Sequence, residues 1–163
     1  MAEILIGQYE GKSIISRIIK WRTWSKISHT AAIHGNETIE AWGGKVICQP
    51  FDQGHKPGTK VTIYSITCTD DQRQRFYNFM VSQVGMKYDY LGIVGFALRI
   101  KSQKAESWFC SELVFAALLY AGLLPLARIE PHKVSPGDLD ISPLLKFHEE
   151  RKIKSPAVVD KRG

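Results

Sequence analysis

The spacing of apolar and polar residues along the chain predicts a single domain that mixes strands and helices. Short apolar segments separated by turn residues predict strands over 3–9, 28–33, 38–42, 45–51 and 60–68, with a last one over 144–148. Thr69-Asp70-Asp71-Gln72 has the capping-box pattern and predicts a helix that reaches about Val84. Ser135-Pro136-Gly137-Asp138 is typical of a turn. The apolar run from Leu91 to Leu98 fits either a short helix or a closely packed loop.

One further helix is predicted to lie inside the domain. From Leu113 to Ala121 the chain has no charged residue, and a helix that is apolar on every side must be buried. Gly122 is suited to end this helix, and Ser107 is suited to cap its start, which places Cys110 in the first turn. Free N–H groups and the helix dipole favour a thiolate at that position. A plain buried cysteine fits the same position.

Two strands around Gly35-Asn36 are predicted to form a hairpin, since Gly-Asn is an accepted two-residue loop. This register pairs His29 with Trp42, so Glu40 stands on the same face as His29 at a diagonal distance of roughly 7–8 Å. Helical spacing directs Cys110 toward the sheet. We therefore expect Cys110, His29 and Glu40 to come together as nucleophile, base and orienting carboxylate.

The basic segment from Lys12 to Trp24 predicts an amphipathic helix, with Ile14, Ile15, Ile18 and Ile19 on one stripe. It fits a surface helix packed on the sheet, or one that docks on an anionic surface such as lipid or cell-wall polymer. The formal charge of +6 favours anionic partners, but the charges lack the interleaved aromatic residues of a nucleic-acid site. Nucleic acid is therefore not an expected partner.

Composition and cysteine spacing narrow the remaining possibilities. A length of 163 residues suits one domain over 1–163, with a frayed tail from about 154. The cysteines at 48, 68 and 110 form no CxxC pair, which indicates a reducing compartment. We expect no metal, because no ligand set has a workable spacing, and no cofactor. His55 is expected to be a loop residue. No signal peptide or membrane span is recognisable, so we expect a cytoplasmic location.

Several short motifs together resemble one enzyme family. They are Ser28-His29-Thr30-Ala31-Ala32-Ile33, Ile39-Glu40-Ala41, Tyr88-Asp89 and Phe109-Cys110-Ser111-Glu112. In this order they look like the permuted papain-like amidases, the YaeF/YiiX-type relatives of the NlpC-type cysteine peptidases. The resemblance runs from about Ile4 to Leu144 and implies an α+β, circularly permuted papain-like fold. In that fold, an antiparallel sheet or partial barrel packs on a central helix that carries the cysteine.

The resemblance also implies roles for individual residues. Cys110 would be the nucleophile, His29 the general base and acid, and Glu40 the residue that orients His29. Tyr88 would shape the pocket or help to hold the oxyanion. The expected function is a thiol hydrolase that cleaves an amide or ester bond through a thioester, with a peptide or an N-acyl amino acid as substrate.

Two other functions fit the same residues. Related folds include lecithin–retinol acyltransferase-like enzymes, so a lipid-directed acyltransferase or thioesterase is one alternative. Those relatives use a second histidine where this chain has Glu40, which favours the amidase. The other alternative is a non-catalytic binding module on the same scaffold.

Overall fold

The structure, a computed structural model, describes residues 1–51, 53–88, 107–108 and 110–154, apart from the side chains of Ile15, Tyr88, Ser107 and Trp108. Its strands are β1 (Ala2–Glu10), β2 (His29–His34), β3 (Glu37–Trp42), β4 (Lys45–Pro50), β5 (Lys60–Cys68), β6 (Lys87–Tyr88), β7 (Ser107–Trp108) and β8 (Lys146–Lys152). Its α-helices are α1 (Ile14–Thr23), α2 (Asp70–Ser82), α3 (Cys110–Tyr120) and α4 (Pro136–Asp140), and Pro131–Lys133 is a 3-10 turn. The apolar run 91–98, Asp89 of the Tyr88-Asp89 motif and the tail beyond 154 lie outside the described residues.

The strands form one sheet in the order β7-β6-β4-β3-β2-β1-β5-β8. The six longer strands are antiparallel to their neighbours, and the two-residue strand β7 is parallel to β6. The predicted α+β class with an antiparallel sheet is therefore confirmed. The described strands form an open sheet with β7 at one edge and β8 at the other.

Each face of the sheet carries its own apolar cluster, as the alternation of side chains along a strand requires. The larger cluster joins β1 residues such as Ile4 and Ile6 to the buried sides of α2 and α3. The smaller cluster lies on the opposite face and contains Tyr9, Ala31 and Ile33. Helix α3 therefore packs on one face of the sheet and leaves the other face to the smaller cluster.

The ends of α3 follow from its sequence only in part. Gly122 has a φ of 76°, and its N–H and that of Leu123 close the last turn on the carbonyls of Leu119 and Leu118. This is a Schellman ending, which glycine permits without a Cβ penalty. The predicted cap at Ser107 is wrong, because Ser107 lies in β7 and pairs with Lys87, and the helix begins at Cys110.

Two other local predictions have different outcomes. The Thr69 and Gln72 side chains make both hydrogen bonds of the capping box, so that prediction is confirmed. Ser135 does not start a simple turn. Its hydroxyl and the Asp138 side chain form a second capping box, which begins α4. Pro136 at the first helical position also favours a helix there.

Candidate active site

The β2–β3 hairpin positions the first two functional side chains. His34 pairs with Glu37 and Ala32 with Ile39, which confirms the predicted register. Gly35 has a φ of 62°, as the first central residue of this kind of two-residue loop requires. Further along the two strands, His29 Nε2 lies 2.5 Å from Glu40 Oε2, and both side chains are buried. The carboxylate therefore fixes the orientation of the imidazole.

Glu40 is the centre of a buried hydrogen-bond network. Its Oε2 accepts from His29 and from His55 Nε2 at 3.0 Å, and its Oε1 accepts from Thr38 Oγ1 at 2.6 Å and from Gln49 Nε2 at 3.2 Å. Burial alone would raise the pKa of Glu40. The hydrogen bonds and charges of His29 and His55 outweigh it and hold this pKa well below the ordinary value of 4.5. Glu40 is therefore a carboxylate at every pH at which the protein is expected to work.

His55 is a loop residue, as the sequence predicts, but the sequence does not show that it joins this network. It lies in the loop between β4 and β5, but only 9% of it is exposed. Its ring stacks on Tyr9 at 4.3 Å and lies 4.5 Å from Trp42. Gly54 allows the loop to lie this close to β3 and β4, because a Cβ there would lie 2.8 Å from Gln49 Nε2 and 3.1 Å from Trp42 Nε1. No local sequence signal marks His55, since only the folding of the loop over the sheet brings it to Glu40.

Cys110 is the first residue of α3 and is 2% exposed. Its thiol lies within hydrogen-bonding reach of His29. Burial acts to lower the pKa of His29, but the charge and hydrogen bond of Cys110, together with Glu40, raise it to about 10. Because Nε2 of His29 is bonded to Glu40, Nδ1 is the ring nitrogen left for the thiol. The pair is therefore arranged to exchange a proton.

The route by which Cys110 meets His29 differs from the predicted one. Strand alternation puts Glu40 on the face opposite Ile39 and Ala41, whereas α3 packs against Ile39 and Ala41. One sheet surface does not carry all three groups. His29 is the first residue of β2, so its meeting with Cys110 occurs at the end of the strand, where α3 also begins. The expected set of neighbours is correct, and the expected common face is wrong.

Aromatic rings enclose the His29 imidazole. The ring of Trp42 meets it edge-on at 5.1 Å and that of Tyr9 at 5.4 Å. Such rings restrict its rotation and exclude water from the Glu40 bond. Tyr88 lies in β6 and pairs with Trp108, two residues before Cys110. Strand pairing therefore places the Tyr88 backbone beside the segment that leads into Cys110. The role of the Tyr88 side chain stays a prediction.

Comparison with known proteins identifies the fold. No family model and no curated protein matches the sequence. The chain is similar to the crystal structure of metalloprotein YiiX from Escherichia coli O157:H7, DUF1105, with a TM-score of 0.73 over 91% of this chain and 96% of that one. The fold is of the YiiX type. Sequence identity is 19%, so the likeness supports the architecture and leaves the chemistry to be argued from the residues.

His29, Glu40 and His55 also form a group of possible metal ligands. One donor atom from each lies within 4.8 Å of the others, and all three residues are buried. The expectation that the chain has no workable ligand set does not hold for these three residues, because nothing in the sequence predicts that His55 approaches the other two. Two imidazole nitrogens and a carboxylate oxygen are a donor set that zinc accepts, so the residues fit such an ion by type.

Proposed function

We propose that this protein is a cysteine hydrolase that cleaves an amide or ester bond through a thioester on Cys110. The observation that carries the proposal is the position of His29, which lies between the buried Glu40 carboxylate and the Cys110 thiol. A His29 pKa of about 10 keeps the imidazole protonated at neutral pH, and a cation beside a cysteine favours the thiolate form. This is the form in which a thiol is nucleophilic.

The reaction begins when the Cys110 thiolate attacks the carbonyl carbon and forms a C–S bond, while the carbonyl electron pair moves to oxygen. The backbone N–H of Cys110, unpaired within the helix because it belongs to the first turn, is suited to donate to that oxyanion. Collapse of the intermediate breaks the bond to the leaving group. His29 gives its proton to the departing amine or alcohol, which leaves a thioester and a neutral imidazole.

The second half of the reaction uses the neutral imidazole as a base. His29 takes a proton from water as the water oxygen attacks the thioester carbonyl, and collapse releases a carboxylic acid and the thiolate. Throughout the cycle Glu40 stays ionised and holds His29 in the tautomer that presents Nδ1 to the thiol. The substrate class we propose is a peptide or an N-acyl amino acid, as expected for a permuted papain-like amidase.

An acyl-trapping experiment tests the proposal with an activated ester in place of the natural substrate. The purified protein is mixed with p-nitrophenyl acetate, and release of p-nitrophenol is followed by stopped flow while intact-mass and peptide mass spectrometry locate the acetyl group. We expect a burst, with acetyl on Cys110. Cys110→Ala and His29→Gln should abolish the burst, whereas the matched control Cys48→Ala, which removes an exposed thiol, should leave it unchanged. Acetylation spread equally over the cysteines would count against the proposal.

A second candidate function is metal binding at the same position, and the buried His55 favours it. YiiX is called a metalloprotein, and His29, Glu40 and His55 would hold a divalent ion here. Such an ion supplies a Lewis acid that lowers the pKa of bound water. Ligation through Nε2 of His29 would replace the hydrogen bond from this nitrogen to Glu40. The thiol mechanism needs that hydrogen bond, so the two functions exclude each other at this nitrogen.

Calorimetric titration with zinc separates the two functions. A metal protein should bind zinc tightly, should lose that affinity in His55→Ala, and should keep it in His132→Ala, which removes an exposed histidine. The thiol hydrolase should be fully active after chelation and should be inhibited by added zinc. Activity that disappears on chelation and returns with zinc would favour the metal function.

A further inference from the structure

Helix α1 exposes the side that an ordinary surface helix would bury. Ile14 is 77% exposed, Ile18 41% and Trp21 73%, although their spacing puts all three on one stripe. The side facing the protein carries Ser16 and Ile19, both buried. The expectation that the isoleucine stripe packs on the sheet therefore fails for Ile14 and Ile18, and an apolar ridge points outward.

Trp24 continues this ridge beyond the end of the helix. The residue is 94% exposed, and its backbone has a φ of 52°, in the left-handed region that glycine or asparagine usually occupies. A tryptophan there bears the cost of that conformation and gains little packing within the chain. Its exposed ring lacks an explanation inside the described structure.

The charges of the segment that carries the ridge have one sign. Residues 11–36 contain five basic residues and no acidic one. Arg17 and Lys26 are exposed, and Arg17 directly flanks the Ile14–Trp21 stripe on the helix. An outward apolar ridge with tryptophans, flanked by arginine and lysine, is the pattern of a helix that lies in the interface of a bilayer. Among the described residues no helix has the length and apolarity needed to cross a membrane.

We propose that Ile14, Ile18, Trp21 and Trp24, together with the surrounding basic residues, form a docking surface for a bilayer that contains anionic lipid. The apolar ridge enters the headgroup region while Arg17 and Lys26 meet the lipid phosphates. The charge of the segment selects this partner over a neutral membrane. Trp24 is five residues before His29, so docking would hold the strand that carries His29 close to the lipid surface. The proposal goes beyond the hydrolase function and does not depend on it.

Vesicle sedimentation with the Cys110→Ala variant tests the surface without any turnover. Phosphatidylglycerol–phosphatidylcholine vesicles are compared with pure phosphatidylcholine vesicles at low and high salt. We expect binding to the anionic vesicles alone, with loss at high salt. Replacing Arg17 and Lys26 by glutamine should weaken binding about fivefold for each charge removed. Trp21→Ser with Trp24→Ser should weaken it by on the order of tenfold or more, because both rings lose their burial.

The matched control is Ile141→Ser with Phe147→Ser, which removes two other exposed apolar side chains, 75% and 65% exposed. It should bind like the parent protein. All variants are checked for an unchanged thermal unfolding midpoint. Equal binding of neutral and anionic vesicles, or full binding by the tryptophan pair variant, would overturn the proposal. Absent vesicle binding would also overturn the proposal. If the protein were then a dimer that the tryptophan substitutions dissociate in sedimentation velocity, the ridge would contact a second copy of the chain.

Discussion

The Glu40 carboxylate offers the sharpest perturbation of the site, because Glu40→Gln changes its charge with little change in shape. In the native protein the Glu40 carboxylate accepts four hydrogen bonds from side chains, two on each oxygen. A glutamine amide has one oxygen and one NH2 group, so in either orientation its NH2 faces groups that now donate to Glu40. One pair of donors, either His29 with His55 or Thr38 with Gln49, then faces this NH2 group. Each member of that pair must accept a hydrogen bond from the NH2 group or lose its partner.

The size of the effect follows from burial. Removing one partner of a buried charge pair costs about 3–5 kcal/mol, and Glu40 is fully buried. We expect the free energy of unfolding to fall by about 3 kcal/mol, which lowers the melting temperature by roughly 6–12 °C for a chain of this length. We also expect the rate of Cys110 acylation to fall by about 10³–10⁴-fold, because His29 loses the tautomer that serves the thiol.

The assay pairs thermal unfolding with the p-nitrophenyl acetate burst, measured well below the melting temperature of each variant. Glu37→Gln is the control, since it makes the same chemical change at the exposed start of the same strand. It should change stability by no more than about 0.5 kcal/mol and leave the burst intact. If Glu40→Gln loses stability as expected but acylates at the parent rate, Glu40 holds the fold and does not orient His29.

Two further predictions concern stability. The melting temperature should be highest between about pH 4.5 and 6.5. The raised pKa of His29 stabilises the protein fully below 6.5, and this contribution is lost as the pH rises through about 10. The lowered pKa of Glu40 stabilises it above 4.5, and this contribution is lost at lower pH. Cys110→Ser should reduce the fall in melting temperature at alkaline pH. Separately, Gly122→Ala should destabilise the protein by about 1 kcal/mol in chemical denaturation, because its Cβ contacts nothing and only the left-handed backbone is penalised. A stability unchanged by Gly122→Ala would contradict that account.

Much of the local structure can be predicted because it depends on neighbouring residues. The Gly35-Asn36 loop sets the hairpin register, and the register alone brings His29 and Glu40 together. The Thr69 capping box and the Gly122 ending depend on the same short-range chemistry. These features do not depend on the rest of the fold.

The failures involve long-range packing. His55 reaches Glu40 only because its loop folds across β3 and stacks on Tyr9, from a distant strand. The stripe on α1 does not face the core throughout, because periodicity gives the width of an apolar stripe and not the side on which the sheet lies. Helical spacing likewise directs Cys110 at a sheet without showing that α3 packs on the face opposite Glu40. Each of these features is set by a tertiary contact that no local pattern encodes.

The central claim, that His29 and Glu40 activate Cys110, is tested most directly by alkylation with iodoacetamide at pH 6, followed residue by residue with mass spectrometry. Exposed Cys48 is the internal comparison, and the partial desolvation of its thiol together with the Glu37 carboxylate raises its pKa. We predict that Cys110 reacts first although it is only 2% exposed, and that His29→Gln removes this preference. Faster modification of Cys48 than of Cys110 in the folded protein, or a Cys110 rate that does not change in His29→Gln, would contradict the account.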